Sequence, residues 1–232
     1  MVAKRLDQYR GRLTAAQTAE GMNAATANAK RLVEVAETLL EKGNHPLAAS
    51  IAALSIEEAG KNSILRELAL ARTDEEVTEC WRAYRSHTRK NVMWLFPELI
   101  GEGARRLGDF HGLFEEGADH PFLLDQLKQL GFYTDCLGDA HWSVPDDVID
   151  LDLATSLVRT ALLLAHPKEV TEQEIDLWIK HLGPVWKGPM EHMEHALVEW
   201  DREMRAKGLA DSRATSFEEF ILHGVGEDET RT

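Results

Sequence analysis

Residues 81 to 90 read WRAYRSHTRK and hold Arg82, Arg85, Arg89 and Lys90 around His87, with no acid among them. In a chain of 232 residues with a formal net charge of −14, this is a local reversal of sign. Guanidinium groups grip phosphate oxygens through paired N–H donors, which an ammonium does not do. An imidazole among them exchanges protons near neutral pH. Together they form a sufficient kit for metal-free cleavage of RNA. The histidine assists attack by a 2′-hydroxyl or protonates the leaving oxygen, while an arginine stabilises the crowded phosphate. The same residues also suit a plainer role, as solvated charges favoured near a helix C-terminus. On an ideal helix Arg82 and His87 stand about 140° apart, so a shared phosphate demands a long arginine arm or an irregular helix.

A second charged group interrupts an apolar face. In SIEEAGKNSILREL, residues 55 to 68, a helical stripe runs Leu47, Ile51, Leu54, Glu58, Lys61, Leu65, Leu68 in steps of three and four. Opposite charges occupy its middle, where unpartnered burial costs several kcal/mol each. They must be paired or lie beside a polar cleft. Glu57 and Glu58 stand four and three residues before Lys61, both good helix pairings. The functional reading turns this group towards His87, with Glu58 orienting the imidazole or holding Arg82. The structural reading is a buried ion pair that fixes helix register. Ser55 and Asn62 add hydrogen bonds to either arrangement.

The elements that must position these groups are helices. Thr14 is a suitable N-cap for a helix ending at Gly43, and GNHP is a turn with Pro46 in the first turn of the next helix, which runs to about Ala71. Thr73 or Asp74 caps a third, with acids in its first turn and bases towards its end; it is expected to continue to Pro97. Residues 101 to 120 are the least regular stretch, with room for one short helix. A further short helix, FLLDQLKQLGF, precedes YTDCLGDAHWSVPDDV, which is rich in turn residues and reads as an ordered loop. Helical period returns in DLATSLVRTALLLA, after Thr171, after Pro189 and in SFEEFILHG, and VGEDETRT reads as a frayed acidic tail. No β-alternation is long enough to build a sheet, so the fold class is all-α.

Composition narrows the functions. An apolar fraction of 44% supports a real core. The acidic balance argues against sequence-independent coating of nucleic acid, though not against a small basic site on an acidic body. No apolar run is long enough for a membrane span, and the N-terminus has no apolar stretch of the signal-peptide kind. The only cysteines, Cys80 and Cys136, are far apart, which fits a reducing cytosol and neither a disulfide framework nor a zinc cluster. Glu191 and His195 have the spacing of two ligands on one helix turn, but a mixed-charge solvated face explains them better. No Gly-rich nucleotide loop is present, and no metal or cofactor is expected.

Taken together, LLEKGNHPLAASIAALSIEEAGKNSIL, RAYRSHTRKN and LKQLGFYTDCLGDAHWSVP resemble the AbiV family of bacterial abortive-infection proteins, within the HEPN superfamily of small helical bundles. The resemblance rests on SIEE-x-GK, on His87 and Lys90, and on a later segment with Tyr133, Asp135, Trp142 and Pro145. It spans roughly residues 14 to 165 and implies a HEPN-like helical domain over 1–165; the additional C-terminal helices over 166–232 lie beyond the resemblance and are expected to pack on the same domain. Many HEPN proteins are ribonucleases marked by an Arg and a His four to six residues later, which Arg82 and His87 match in the shortest form. The resemblance thus implies a cytosolic antiphage effector that cleaves RNA to arrest its host without metal. Arg82, His87 and Glu58 would be catalytic; Lys61, Arg85, Arg89 and Lys90 would bind phosphate; Ser55, Glu57 and Asn62 would support them. It also implies a homodimer with two motifs facing one cleft, and a phage-encoded trigger or an antitoxin as partner. The alternative from another class is a non-catalytic module that senses a phage protein or blocks a host partner by contact.

Overall fold

In the computed structural model, residues 7–114, 119–165, 168–211 and 215–224 are described; the acidic tail read from the sequence lies outside them. The chain is mostly helical, with C-terminal helices beyond the HEPN-like part. Helix α1 (Ala15–Glu41) starts in a reciprocal cap: Thr14 Oγ1 accepts from Gln17 N, and Gln17 Oε1 accepts from Thr14 N. Helix α2 (His45–Leu70) begins after Asn44, whose side chain accepts from Leu47 N, with Pro46 in its first turn. The two pack through small residues, with Ala29 and Ala36 of α1 in one buried cluster with Ala48, Ala49, Ala52 and Ala53 of α2. Side chains this short bring two backbones close together, and Ser55 Oγ uses that proximity to donate to Ala29 O at 2.8 Å.

Helix α2 is the axis of the molecule. It touches α1, α3 (Asp74–Arg85), α5 (His120–Phe132), α7 (Leu151–Leu164) and α8 (Glu172–Leu182). The stripe read from the sequence is therefore only partly its buried face, Leu65 and Leu68 being its buried members. Leu47 is 36% exposed and Glu58 half-buried, while Ala48, Ala52, Ile56 and Glu57 are buried. A helix surrounded on most sides has no single apolar stripe to find.

Helix α3 stops at Arg85, well short of Pro97, because Ser86 turns extended with ψ near 140°. Ser, His and Thr in succession are weak helix formers whose short polar side chains compete for backbone groups. The chain continues as 3-10 turns at Thr88–Lys90 and Val92–Leu95 before α4 (Phe96–Gly101), and Leu107–Phe114 is a further 3-10 stretch. The segment after α5 also departs from the expected loop: β1 (Asp135–Leu137) and β2 (His141–Ser143) form an antiparallel hairpin with Cys136 opposite Trp142. Three-residue strands are too short to show alternation. The hairpin carries exposed Tyr133, Leu137 and Trp142 on or beside it.

After α6 (Pro145–Val148) and α7, helices α8, α9 (Met190–Ala206) and α10 (Phe217–Leu222) complete the described chain. They share its core: Ile175 packs with Met22, Leu65 and Trp81, and Leu182 and Ala196 with Leu70. Arg66 of α2 lies over the rings of Trp178 and Trp200, 5.1 and 5.7 Å from their centroids. Asn23 and Val170 exchange two hydrogen bonds, at 2.7 and 2.9 Å. Among the described residues no helix is long and apolar enough to cross a membrane.

Candidate functional site

Where α2, α5 and the turn after α3 meet, a carboxylate is enclosed. Glu57 on α2 is 3% exposed. Its Oε2 lies 2.8 Å from His87 Nδ1 and 3.4 Å from Lys90 Nζ; its Oε1 accepts from Lys128 Nζ at 2.5 Å. Lys128 belongs to α5 and also pairs with Asp125 Oδ1 at 2.6 Å. Burying one carboxylate would cost several kcal/mol, and it is tolerable here because two buried ammonium groups and an imidazole surround it. Burial pushes the Lys128 ammonium towards deprotonation, but Asp125 and Glu57 outweigh it and hold its pKa above the ordinary lysine value.

Two glycines admit these partners. A β-carbon on Gly60 would lie 2.0 Å from Lys90 O, so only glycine lets the 88–90 turn rest against α2. A β-carbon on Gly131 would meet Ser50 Oγ at 2.2 Å and Pro46 O at 2.7 Å, so glycine likewise seats α5 on α2. Ser50 Oγ then donates to Lys128 O at 3.1 Å. The turn is also fastened to the start of α5: Asn91 Nδ2 donates to Pro121 O at 3.3 Å and Trp94 Nε1 to His120 O at 2.9 Å.

His87 shows the opposite face of this arrangement. Its side chain is 63% exposed, although Nδ1 touches a buried acid. A carboxylate accepts, so Nδ1 carries the hydrogen at the 2.8 Å contact, which leaves Nε2 as the bare nitrogen of the neutral ring. Lys128 Nζ also comes within 3.5 Å of Nδ1, a longer and weaker approach. The site thus presents an oriented imidazole with its basic nitrogen unbound among the described residues.

The acid against His87 is Glu57, which the sequence reading placed among the supporting residues, and not Glu58. Glu58 pairs instead with Lys61 at 2.5 Å, and Lys61 Nζ lies 5.0 Å from the centre of the Tyr84 ring. Of the basic residues, Lys90 is buried against Glu57. Arg85 is a clamp: its guanidinium donates to Tyr9 O and Trp81 O and lies over the Trp81 ring. Arg82 and Arg89 are exposed, and neither guanidinium makes a hydrogen bond or ion pair among the described residues. Among the described residues Arg82 makes no hydrogen bond to His87, although the break at Ser86 removes the ideal-helix geometry that set them apart. Ser55 and Asn62 serve the α1–α2 contact, Asn62 Nδ2 donating to Thr26 Oγ1 at 3.0 Å.

Sequence reasoning missed Lys128 and Asp125. The signal was present: Leu124, Lys128 and Gly131 follow one another at four and three residues on one face of α5, a lysine inside an apolar stripe. Glu57, His87 and Asp125 also have the donor atoms for a metal ion, all within 4.8 Å of one another. Lys128 Nζ, however, already stands between the two carboxylates at 2.5 and 2.6 Å. The residues present fit an internal ammonium in that position rather than a divalent cation.

The family model for the HEPN domain of AbiV matches residues 17–166. The chain belongs to the AbiV family. The matched span contains every residue of the Glu57 cluster and ends at the close of α7. No curated protein and no solved structure matches the chain. AbiV membership connects it with abortive infection, the antiphage response in which an infected cell is arrested.

Proposed function

We propose that this AbiV protein is an abortive-infection effector that cleaves RNA in the cytosol with His87 as its proton-transferring residue. The observation that carries this reading is the Glu57–His87 contact, a buried carboxylate orienting an exposed imidazole. In that role Nε2 takes the proton of a ribose 2′-hydroxyl, the oxygen attacks the adjacent phosphorus, and the bond to the 5′-oxygen of the next nucleotide breaks as that oxygen receives the proton back from the imidazolium. The products are a 2′,3′-cyclic phosphate and a free 5′-hydroxyl. Arg82 and Arg89, exposed and without protein partners among the described residues, are the phosphate-binding candidates. Lys90 and Lys128 are engaged with Glu57 and hold the base in place; Arg85 fastens the helix that precedes it. Glu58 and Lys61 form a separate, largely buried pair on the same helix. A second copy of the chain would bring a second Arg82 and His87 to one cleft, so the working form in this reading is a homodimer. Residues 166–232 are read as an extension of the 1–165 unit, in keeping with the core that α8 and α9 share with α2.

A second reading is favoured by the exposed Tyr133, Leu137 and Trp142 at the hairpin. Three large apolar side chains exposed within one short segment suit a module that acts by binding a phage trigger or host protein. Purified protein is incubated with total cellular RNA in EDTA, wild type beside a folded His87→Ala variant. Fragments ending in 2′,3′-cyclic phosphate, lost in the variant, support the ribonuclease. Protection of cells against phage that survives His87→Ala overturns it in favour of the binding module.

A further inference from the structure

The imidazole is a base only if its hydrogen is on Nδ1, and the contacts around Glu57 decide that. We propose that Lys128 is a positioning residue which, by keeping Glu57 an acceptor, fixes the tautomer of His87 and turns its bare Nε2 outward. The proposal rests on the ribonuclease reading for its purpose but not for its test.

Three groups face Glu57: Lys128, Lys90 and His87. Lys128 Nζ is hydrogen-bonded at 2.5 Å, whereas Lys90 Nζ stands off at 3.4 Å; by the inverse-distance law Lys90 attracts Glu57 roughly three quarters as strongly as Lys128 does, and it adds no hydrogen bond. Lys128 is itself 4% exposed and anchored from its other side by Asp125, on the preceding turn of the same helix. It therefore cannot leave its position to follow solvent. Without that ammonium, Glu57 is a buried carboxylate with one more distant cation, the circumstance in which a carboxyl takes up a proton from solvent. A protonated Glu57 gains an O–H that donates to Nδ1. The proton of the neutral ring then resides on Nε2, and the exposed nitrogen becomes a donor with no basic lone pair. The same charge that stabilises the cluster thus selects which nitrogen meets the substrate. Lys128 touches no substrate in this scheme; it acts through Glu57.

The test is nuclear magnetic resonance of protein labelled with ¹⁵N in its histidine rings, assigned through His87→Ala and recorded at about pH 8.5, above the usual imidazole range. The wild type is expected to show His87 protonated on Nδ1. Lys128→Met, which keeps the length and removes the charge, is expected to move the hydrogen predominantly to Nε2, and Lys128→Arg to retain the wild-type pattern. Lys128→Gln, neutral but still a donor, carries the same expectation as Lys128→Met and stands in for it if that variant does not fold. A wild-type ring protonated on Nε2, or a folded neutral variant with the wild-type pattern, overturns the proposal. A purely packing role for Lys128 would leave the tautomer unmoved. The spectra are taken without RNA, so their outcome is separate from cleavage. A protein that shows the Lys128 effect and cleaves nothing keeps the positioning role and loses the ribonuclease reading.

Discussion

Two regions of this molecule build a cluster from the same four-residue combination, Glu with His and two Lys. At the centre, Glu57 meets His87, Lys90 and Lys128. In the C-terminal helices, Glu203 of α9 meets His181 at 2.7 Å, Lys180 at 2.5 Å and Lys207 at 3.3 Å. The chemistry is alike; the layering is reversed. Around Glu57 the acid and both lysines are buried and the imidazole faces out. Around Glu203 the imidazole is tucked away and the lysines are exposed. The bonded nitrogen differs too, Nδ1 in His87 and Nε2 in His181. Composition alone does not make a candidate site: what counts is which member of the cluster is sequestered and which is offered to solvent.

The largest expected contrast is at the acids. Glu57→Ala leaves two ammonium groups in the interior without their carboxylate and should cost about 3 kcal/mol, the low end for a broken buried pair because Asp125 remains beside Lys128. Urea denaturation measures it. Glu203→Ala, at the surface, should leave the midpoint nearly unmoved; an equal loss from both would erase the distinction between the regions. Next comes Gly60→Ala, whose methyl group must push the Lys90 carbonyl away. A loss of about 1–3 kcal/mol is expected, together with displacement of His87 from Glu57 and loss of any cleavage that depends on that contact. A stability loss with full activity retained would detach the 88–90 turn from function.

His87→Ala sharpens the comparison from the other side. The ring is mostly exposed but bonds to buried Glu57, so a loss of about 1 kcal/mol is expected, well below that of Glu57→Ala, while the proposed cleavage disappears. The smallest effect is one of pH. Lys180 first, and then His181, hold the Glu203 carboxyl down to about 2 from an ordinary 4.5. A depressed carboxyl contributes stability that is present above about 4.5 and is lost as pH falls towards about 2. Denaturation midpoints over that window should therefore fall less steeply for Glu203→Gln than for wild type. Identical slopes would show that solvent screens these contacts to nothing.

How much of this the sequence displayed depends on whether the cause is local. Thr14, Thr73, Thr171 and Ser216 all cap helices through bonds to residues three positions on, and such caps are visible in any short window. The all-helical class followed for the same reason. The identity of the orienting acid did not, because Glu57 and Glu58 are adjacent and differ only in which neighbours surround α2 on each side. An apolar stripe predicts one buried face, but α2 is packed on several, and its most deeply buried charge lay off the stripe. Lys128 was harder still: its partner is 71 residues away, and only a close approach through Gly131 brings them together.

The turn that carries His87 is fastened on both sides, by Arg85 to the N-terminal segment at Tyr9 and by Asn91 to α5 at Pro121. Between those ties the chain has little slack. With that backbone tied and Nδ1 held by the buried Glu57 carboxylate, the ring gives up its rotational freedom when the protein folds, not when a ligand arrives. Whatever meets Nε2 therefore finds the entropy of orientation already settled, and its affinity or its rate need not carry that cost.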